Sequence, residues 1–292
     1  MSLKKFITNI RQYLKRLIPD YLFLKREFRL RMGYRLNLKS PRTYNEKLQW
    51  LKLYDRNPLY TTLVDKYAVK KWVSSKIGEE YVIPTIGVWD KFEDIDFDCL
   101  PKQFVLKCTH DSGGLIIVKD KNCVDYQLIK QKMTKCLKQN FYWWNREWPY
   151  KNVPPRIIAE PYMEDEVYKE LRDYKFYTFN GVPKFMMIAM GRQISGQKSF
   201  DYFDMNFKHI TLHDVRVPNA RIAPEKPYGF EMMKNLASIL SEEIPCVRVD
   251  FYEINKKIYF GEMTFFDDGG FMKAVPATWE LEWGNLLILP KR

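Results

Sequence analysis

The chain has 292 residues, 46% hydrophobic and 16% aromatic, with a formal charge of +12. That is ample material for a globular core in one large domain or two to three lobes. No run of about eighteen apolar residues occurs, so no spanning helix is expected. The start, MSLKKFITNIRQYLKRLIPDYLFLKREF, lacks the continuous apolar stretch of a secretory leader, so a cytoplasmic location is expected. The five cysteines (Cys99, Cys108, Cys123, Cys136, Cys246) form no CxxC pair and read as free thiols in a reducing compartment. With only His110, His209 and His213, a histidine-rich metal site is excluded, and any metal would rest on carboxylates.

Residues 1–35 are strongly basic, with Phe6, Ile7, Ile10, Leu14, Leu17 and Ile18 at helical spacing and a break near Pro19. Two readings of this amphipathic stretch stay open. One is peripheral attachment to the anionic inner face of a membrane. The other is a surface helix packed on its own domain. No nucleic-acid motif accompanies the charge, so no nucleic-acid partner is expected. Ser40-Pro41 signals a turn, and Thr43 with Glu46 fits a capping box opening a helix to about Leu53. LVDKYAVKKWVSSKIG reads as one further helix stopping at Gly78. YVIPTIGVWD reads as a strand and its exit. QFVLKCTH and GLIIVKD read as a strand pair around Asp111-Ser112-Gly113-Gly114. YQLIKQKMTKCLKQNFYWW is helical in pattern, and RIIAEPYME is a strand ending at proline. DYKFYTFNGVPKFMMIAMGR is a hairpin turning at Asn180-Gly181. GFEMMKNLASILSEEI is a helix. CVRVDFYEINKKIYFGEMTFF is a second hairpin, turning at Asn255-Lys256. Helices first, then strand pairs separated by single helices, predict an α+β fold with antiparallel sheets.

The last hairpin carries the clearest chemistry. Alternation puts Arg248, Asp250 and Tyr252 on one face of its first strand, and Glu262 and Thr264 on one face of its second. Folding brings Asp250 close to Glu262. Neighbouring carboxylates repel unless they serve something, and Mg²⁺ takes such oxygen pairs. The other reading is a solvent-facing pair near Lys256 or Lys257. In the earlier hairpin Asp173, Lys175 and Tyr177 share a face, where Lys175 can pair with Asp173 or meet a phosphate. Lys107 and Lys119 read as equivalent places on two arms, and Gly113 and Gly114 offer backbone N–H groups to an anion. No GxxxxGK[ST] occurs, so a P-loop is absent. The aromatic run Asn140–Tyr150 reads as core at a lobe boundary or as a platform for a sugar ring.

VLKCTHDSGGLIIVK, IIAEPYME, DYKFYTFNG and RVDFYEINKKIYFGEMTFFDDGG, in this order over residues 60–270, resemble an ATP-grasp enzyme. SPRTYNEKLQWLKLYDRNPLYTTLVDKYAVKKWV is similar to the teichuronopeptide-biosynthesis, TupA-like branch. The resemblance implies a nucleotide held between two α+β lobes after a helical N-terminal extension. The implied divisions are 1–58 (basic and helical), 59–100 (preceding the ATP-grasp lobes), 101–162 (small lobe with the phosphate flap) and 163–292 (large lobe with the metal site). It implies Lys107 and Lys119 on the α- and β-phosphates, with Asp111, Ser112, Gly113 and Gly114 as the flap. Glu160, Tyr162 and Met163 would read the adenine, Glu164 the ribose, and Lys175 would reach the γ-phosphate. Asp250 and Glu262 would ligate Mg²⁺. The family's usual third ligand is asparagine two residues after the glutamate, where this chain has Thr264. Asp267, Asp268, Gly269 and Gly270 would handle the acceptor, the aspartates suiting an amine.

Such a site implies an ATP-dependent carboxylate–amine ligase working through an acylphosphate. Arg248 would stabilise the oxyanion of the second step or simply pair with Glu262. The expected partners are ATP and an acidic small molecule or glycan with an amine acceptor, in bacterial surface-polysaccharide synthesis. Two other classes remain. A glycosyltransferase would want a DxD motif, for which DYFD at Asp201–Asp204 is a loose match. A non-catalytic binding module would keep the fold without turnover.

Overall fold

The computed structural model of the protein describes residues 16–191 and 197–291. Residues 1–15 of the expected basic amphipathic stretch lie outside them. Helix α1 (Asp20–Met32) starts after Pro19 and ends at Gly33, whose φ of 85° is left-handed. Its Phe23, Leu24 and Phe28 are buried, so this helix does pack on its own domain. Leu22, Lys25, Arg26, Arg29 and Leu30 form its exposed stripe.

Helix α2 (Tyr44–Tyr54) opens with the expected capping box: Glu46 N donates to Thr43 Oγ1 at 3.3 Å, and Thr43 N to the Glu46 carboxylate at 3.2 Å. The next expected helix is in fact two, α3 (Leu59–Val64) and α4 (Ala68–Ile77). Asp65 divides them. Its Oδ1 accepts from the N–H groups of Tyr67 and Ala68 at 2.9 and 3.2 Å, which starts a new helix inside one apolar pattern.

A four-stranded antiparallel sheet has the order β1 (Gly87–Trp89), β4 (Ile157–Pro161), β2 (Phe104–Cys108), β3 (Leu115–Val118). Helix α5 (Tyr126–Leu137) covers it with Ile129, Met133 and Cys136, and Phe92, Ile95 and Leu100 close the same small core. The helical pattern expected to continue stops at Leu137, and α6 (Tyr142–Asn145) is a separate turn.

The larger sheet has six antiparallel strands, ordered β11 (Lys257–Thr264), β10 (Cys246–Ile254), β5 (Asp173–Phe179), β6 (Val182–Met190), β7 (Ser199–Asp204), β8 (His209–Ile210). Helix α7 (Phe230–Leu240) buries Phe230, Met233, Leu236, Ala237 and Leu240 against it. On the opposite face, α8 (Trp279–Leu286) places Trp283 against Tyr177 at 4.8 Å and in a stack on Phe185 at 4.8 Å. Two short strands, β9 (His213–Asp214) and β12 (Ala274–Val275), pair beside this sheet.

The cores divide differently from the expected boundaries. Strand β1 belongs to the small sheet although it precedes residue 101. Tyr142, Trp148 and Val153 belong to the large core although they precede residue 163. Helices α1 to α4 also join that core, so among the described residues there are two hydrophobic cores and no third. Chain order misleads here because the segment between α5 and β4 crosses to the other lobe and back.

Candidate active site

The large sheet builds one polar face by register. On β10, Arg248, Asp250 and Tyr252 lie opposite Tyr177, Lys175 and Asp173 of β5, while Arg248 and Asp250 lie opposite Thr264 and Glu262 of β11. Directly paired side chains share a face, so these groups form adjacent rows. A register shift after Asp250 keeps Glu262 in the row. Gly261 is the extra residue, and a Cβ there would stand 3.0 Å from the Asp250 carbonyl oxygen.

Asp250 is the buried centre. Arg248 donates to it through Nε at 2.7 Å and Nη2 at 2.8 Å, and the Lys175 ammonium donates to the same carboxylate. Burial pushes the Asp250 carboxyl up, but Arg248 and Lys175 outweigh it and hold the group below its ordinary range. Asp173, the carboxylate expected beside Lys175, is 3.6 Å away, while Asp250 is a nearer partner that the sequence did not name for it. Arg248 also donates to Asp267, and to Thr264 Oγ1 at 3.1 Å, with Glu262 farther at 3.6 Å. Its chief partners are therefore Asp250 and Asp267 rather than Glu262.

Glu262 is 42% exposed where two cavities meet, directly beside Asp250. Of the two carboxylates only Glu262 opens to the cleft, where it fits a Mg²⁺ ion that keeps waters and substrate oxygens for its other positions. Asp250, buried behind it with both oxygens on Arg248 and Lys175, would join such a set only by releasing Lys175. Thr264 already accepts from Arg248, which fits the role expected of the family's asparagine less well.

On the nucleotide side, a cavity of about 160 Å³ is lined by Lys70, Lys107, Ser112 to Gly114 and Glu160, and from the large sheet by Asp173, Tyr252 and Glu262. Lys107 and Lys70 each end 2.5 Å from the Glu160 carboxylate. Burial pushes that carboxyl up, and the two lysines together hold it below its ordinary range. Burial also pulls the Lys70 ammonium down, against the attraction of Glu160. An apolar extension of about 180 Å³ lies among Ile83, Val105, Ile117, Met163 and Leu171, beside Pro161 and Tyr162. It has the character of a slot for a planar ring.

Two expectations on this side are corrected. Lys107 and Lys119 are not equivalent: Lys107 pairs with Leu115, while Val118, just before Lys119, pairs with Phe104. Lys119 is 62% exposed, 3.8 Å from Glu164 and over the Tyr162 ring, outside the residues lining the cleft. Glu164 in turn accepts from Tyr162 Oη at 2.5 Å. The loop between β2 and β3 spans six residues, 109–114, so lysines twelve apart cannot meet across it. Asp111 is also not part of the phosphate surface. Its side chain is buried, accepts from Cys136 Sγ at 2.6 Å, and leaves Ser112, Gly113 and Gly114 facing the cleft. Gly113 has φ 105°, which a side chain rarely adopts.

The second cavity, about 490 Å³, shares Ser112 and Glu262 with the first. The Asp267–Gly270 turn lies along it, but its groups are engaged. Asp267 takes Arg248 and the Tyr177 hydroxyl, the latter at 2.7 Å. Asp268 takes Arg216 Nη1 at 2.9 Å, while the rest of that guanidinium grips Asp214. Lys52 donates to the Gly269 carbonyl at 2.5 Å and Gln49 Nε2 to the Gly270 carbonyl at 2.6 Å. Gly269 and Gly270 have φ of 63° and 70°. The turn is thus a rigid wall, and its aspartates are not free amine binders. Of the aromatic run, Tyr142 and Trp148 are core, while Phe141 and Tyr150 line this cavity. Asp201 and Asp204 serve structure: Asp201 is buried against His209 and the Ala220 N–H, and Asp204 caps a turn at Asn206 and Lys208.

Sequence reading missed Lys70, Arg216, Glu147, Lys198 and the anchoring groups Gln49 and Lys52. The spacing of Asn45, Gln49 and Lys52 along α2 was a usable signal, since it makes one polar stripe that grips the 269–272 turn.

Two α+β lobes with this cleft between them define the ATP-grasp fold class. The family described as TupA-like ATPgrasp matches residues 46–288, and the chain belongs to that family. Solved structures similar to it include the D-alanine–D-alanine ligase of Helicobacter pylori, at 13% identity over 84% of this chain and 69% of that one, TM-score 0.45. The D-alanine–D-alanine ligase of Bacillus anthracis complexed with ATP is 17% identical over 70% of this chain and 54% of that one, TM-score 0.39. D-cycloserine synthetase DcsG is 14% identical over 78% and 70%, TM-score 0.41. The chain thus spans about half the length of the Bacillus anthracis ligase. No curated protein matches the sequence.

Proposed function

We propose that the protein is an ATP-dependent carboxylate–amine ligase of bacterial surface-polysaccharide synthesis. The observation that carries the reading is convergence. Lys70 and Lys107 beside the small sheet, and Asp173 and Glu262 on the large one, border one cleft that continues into a second cavity, with Asp250 buried directly behind Glu262. The apolar slot would take the adenine beside the backbone of Pro161 to Met163, with Glu160 at its edge. Lys107, Lys70 and the N–H groups of Ser112 to Gly114 would hold the phosphates, with Lys175 at the γ-phosphate. Asp250 and Glu262 would hold Mg²⁺, which supplies charge neutralisation on the phosphate oxygens.

In the first step a substrate carboxylate oxygen attacks the γ-phosphorus, and the bond to ADP breaks. In the second, an amine nitrogen attacks the acyl carbon, phosphate leaves, and one proton is released from nitrogen. Arg248, fixed by Asp250 and Asp267, lines the second cavity and would stabilise the oxyanion there. The glycan setting, in which an amino acid is joined to a uronic acid, rests on family membership. The outward stripe of α1, cationic with exposed Leu22 and Leu30, supports peripheral contact with an anionic membrane. Among the described residues no helix is long and apolar enough to cross one.

The test is incubation with ATP, Mg²⁺, amino acids and uronic-acid glycans, with phosphate release and product mass followed together. An amide product formed with stoichiometric ADP and phosphate is expected. Stabilisation by ATP–Mg²⁺ without turnover on any acceptor would favour a binding module instead.

A further inference from the structure

The second cavity is bordered by Glu147, Asp214, Glu262, Asp267 and Asp268. Four of them meet a cation: Asp214 and Asp268 meet Arg216, and Asp267 and Glu262 meet Arg248. Glu147 is the exception. Among the described residues no lysine or arginine reaches it at ion-pair distance, and its one donor is Asn145 Nδ2, at 3.4 Å. Lys52 is near enough to attract it, but that ammonium spends its three donors on Gln49 Oε1 at 3.1 Å, the Asn145 carbonyl at 2.9 Å and the Gly269 carbonyl at 2.5 Å.

Glu147 is only 4% exposed, so its carboxylate is withheld from bulk water. Its backbone is held in place. Arg146 before it is buried and paired with Asp20 at 3.0 Å, and Trp148 after it is in the core. Burial pushes the Glu147 carboxyl up, to about 7, against the attraction of Lys52, so the group stands between its acid and its charged form, and a cation arriving in the cavity would favour the charged one. Phe141 and Tyr150, edge to face at 4.9 Å, line the same cavity and offer the ring surfaces that ammonium groups favour.

We infer that Glu147 is the cation-binding group of this cavity and takes the ammonium of the amine acceptor. This rests on the ligase reading, and it moves acceptor recognition from Asp267 and Asp268, already neutralised by arginines, to a residue on the opposite side of the chain order. The acceptor class is a primary amine that enters protonated; it gives one proton to the Glu147 carboxylate to become the nucleophile, and the second leaves nitrogen as the amide forms.

The test uses the full chain and n-propylammonium chloride as the probe, titrated against sodium chloride at constant ionic strength. Binding is read by saturation-transfer NMR and by the rise in Tm. Wild type should bind the probe, and Glu147→Gln should lose about tenfold or more in affinity while keeping its ATP–Mg²⁺ stabilisation. The double variant Lys52→Met/Glu147→Gln restores neutrality to the buried neighbourhood and should show the same loss. No binding to wild type, or equal binding in the folded variants, overturns the assignment. The ligase reading fails separately: an ammonium site without turnover on any acceptor removes that reading, and turnover whose amine KM in the folded variants equals that of wild type removes this one.

Discussion

Glu160 is kept charged inside the protein by two lysines arriving from different elements, Lys70 from α4 and Lys107 from β2. Asp250 is kept charged by Arg248 and Lys175. Both carboxyls lie below their unfolded values, so both contribute stability above the ordinary carboxylate range, about pH 4, and lose it as pH falls through their lower folded values. The contribution of these two groups to the urea midpoint should be level between about pH 7 and 5 and fall steeply below about pH 4. In the Lys70→Met/Lys107→Met variant the Glu160 share of that fall should vanish, and an acid limb as steep as in wild type would disprove the assignment. Glu262→Gln should cut kcat by about two orders of magnitude or more with ATP affinity only partly reduced. Unchanged turnover would remove Glu262 from the metal set. At this scale strand alternation named Asp250, Glu262 and Lys175, because it fixes which residues share a face, while Lys107 came from its place on the hairpin and from the family resemblance. It missed Lys70, which joins the cleft from a helix whose docking no local pattern reveals.

The capping box of α2 was readable because it is local: its two hydrogen bonds join residues three apart. It also anchors the site, since Asn45, Gln49 and Lys52 on that helix hold the 269–272 turn. Thr43→Ala should therefore cost about 1 kcal/mol of stability, read as a lowered urea midpoint. A further loss in acceptor KM with unchanged ATP affinity is expected, and a fall in ATP affinity alone would contradict the anchoring role. The break between α3 and α4 was not readable. Asp65 sits within a continuous helical period, and only its hydrogen bonds to Tyr67 and Ala68 separate the two helices. Lys119 failed for a related reason, since hairpin register depends on loop length and not on the symmetry of the sequence around a glycine pair.

Across the whole molecule, the cleft joins two separate cores, so a nucleotide seated in it would tie them together. ATP–Mg²⁺ should raise Tm in wild type, and Lys107→Met should abolish most of that rise. The surplus positive charge has an equally global test. Deleting residues 1–35 would strip Phe23, Leu24 and Phe28 from the large core. Charge reversal of Lys25, Arg26 and Arg29 leaves the packing intact. Sedimentation with phosphatidylserine vesicles should fall in that variant, and equal sedimentation would leave the stripe a solvated surface.

Alternation, capping and turn chemistry act over a few residues, so the amino-acid order already settled the α+β class, both large-sheet hairpins, the α2 cap and the paired carboxylates. The division into two cores, the crossing of Tyr142–Val153 into the large lobe, the inward turn of Asp111 and the isolation of Glu147 had to wait for the folded chain. Each depends on which distant segments dock together, and burial, charge neutralisation and access to a cavity exist only once they have.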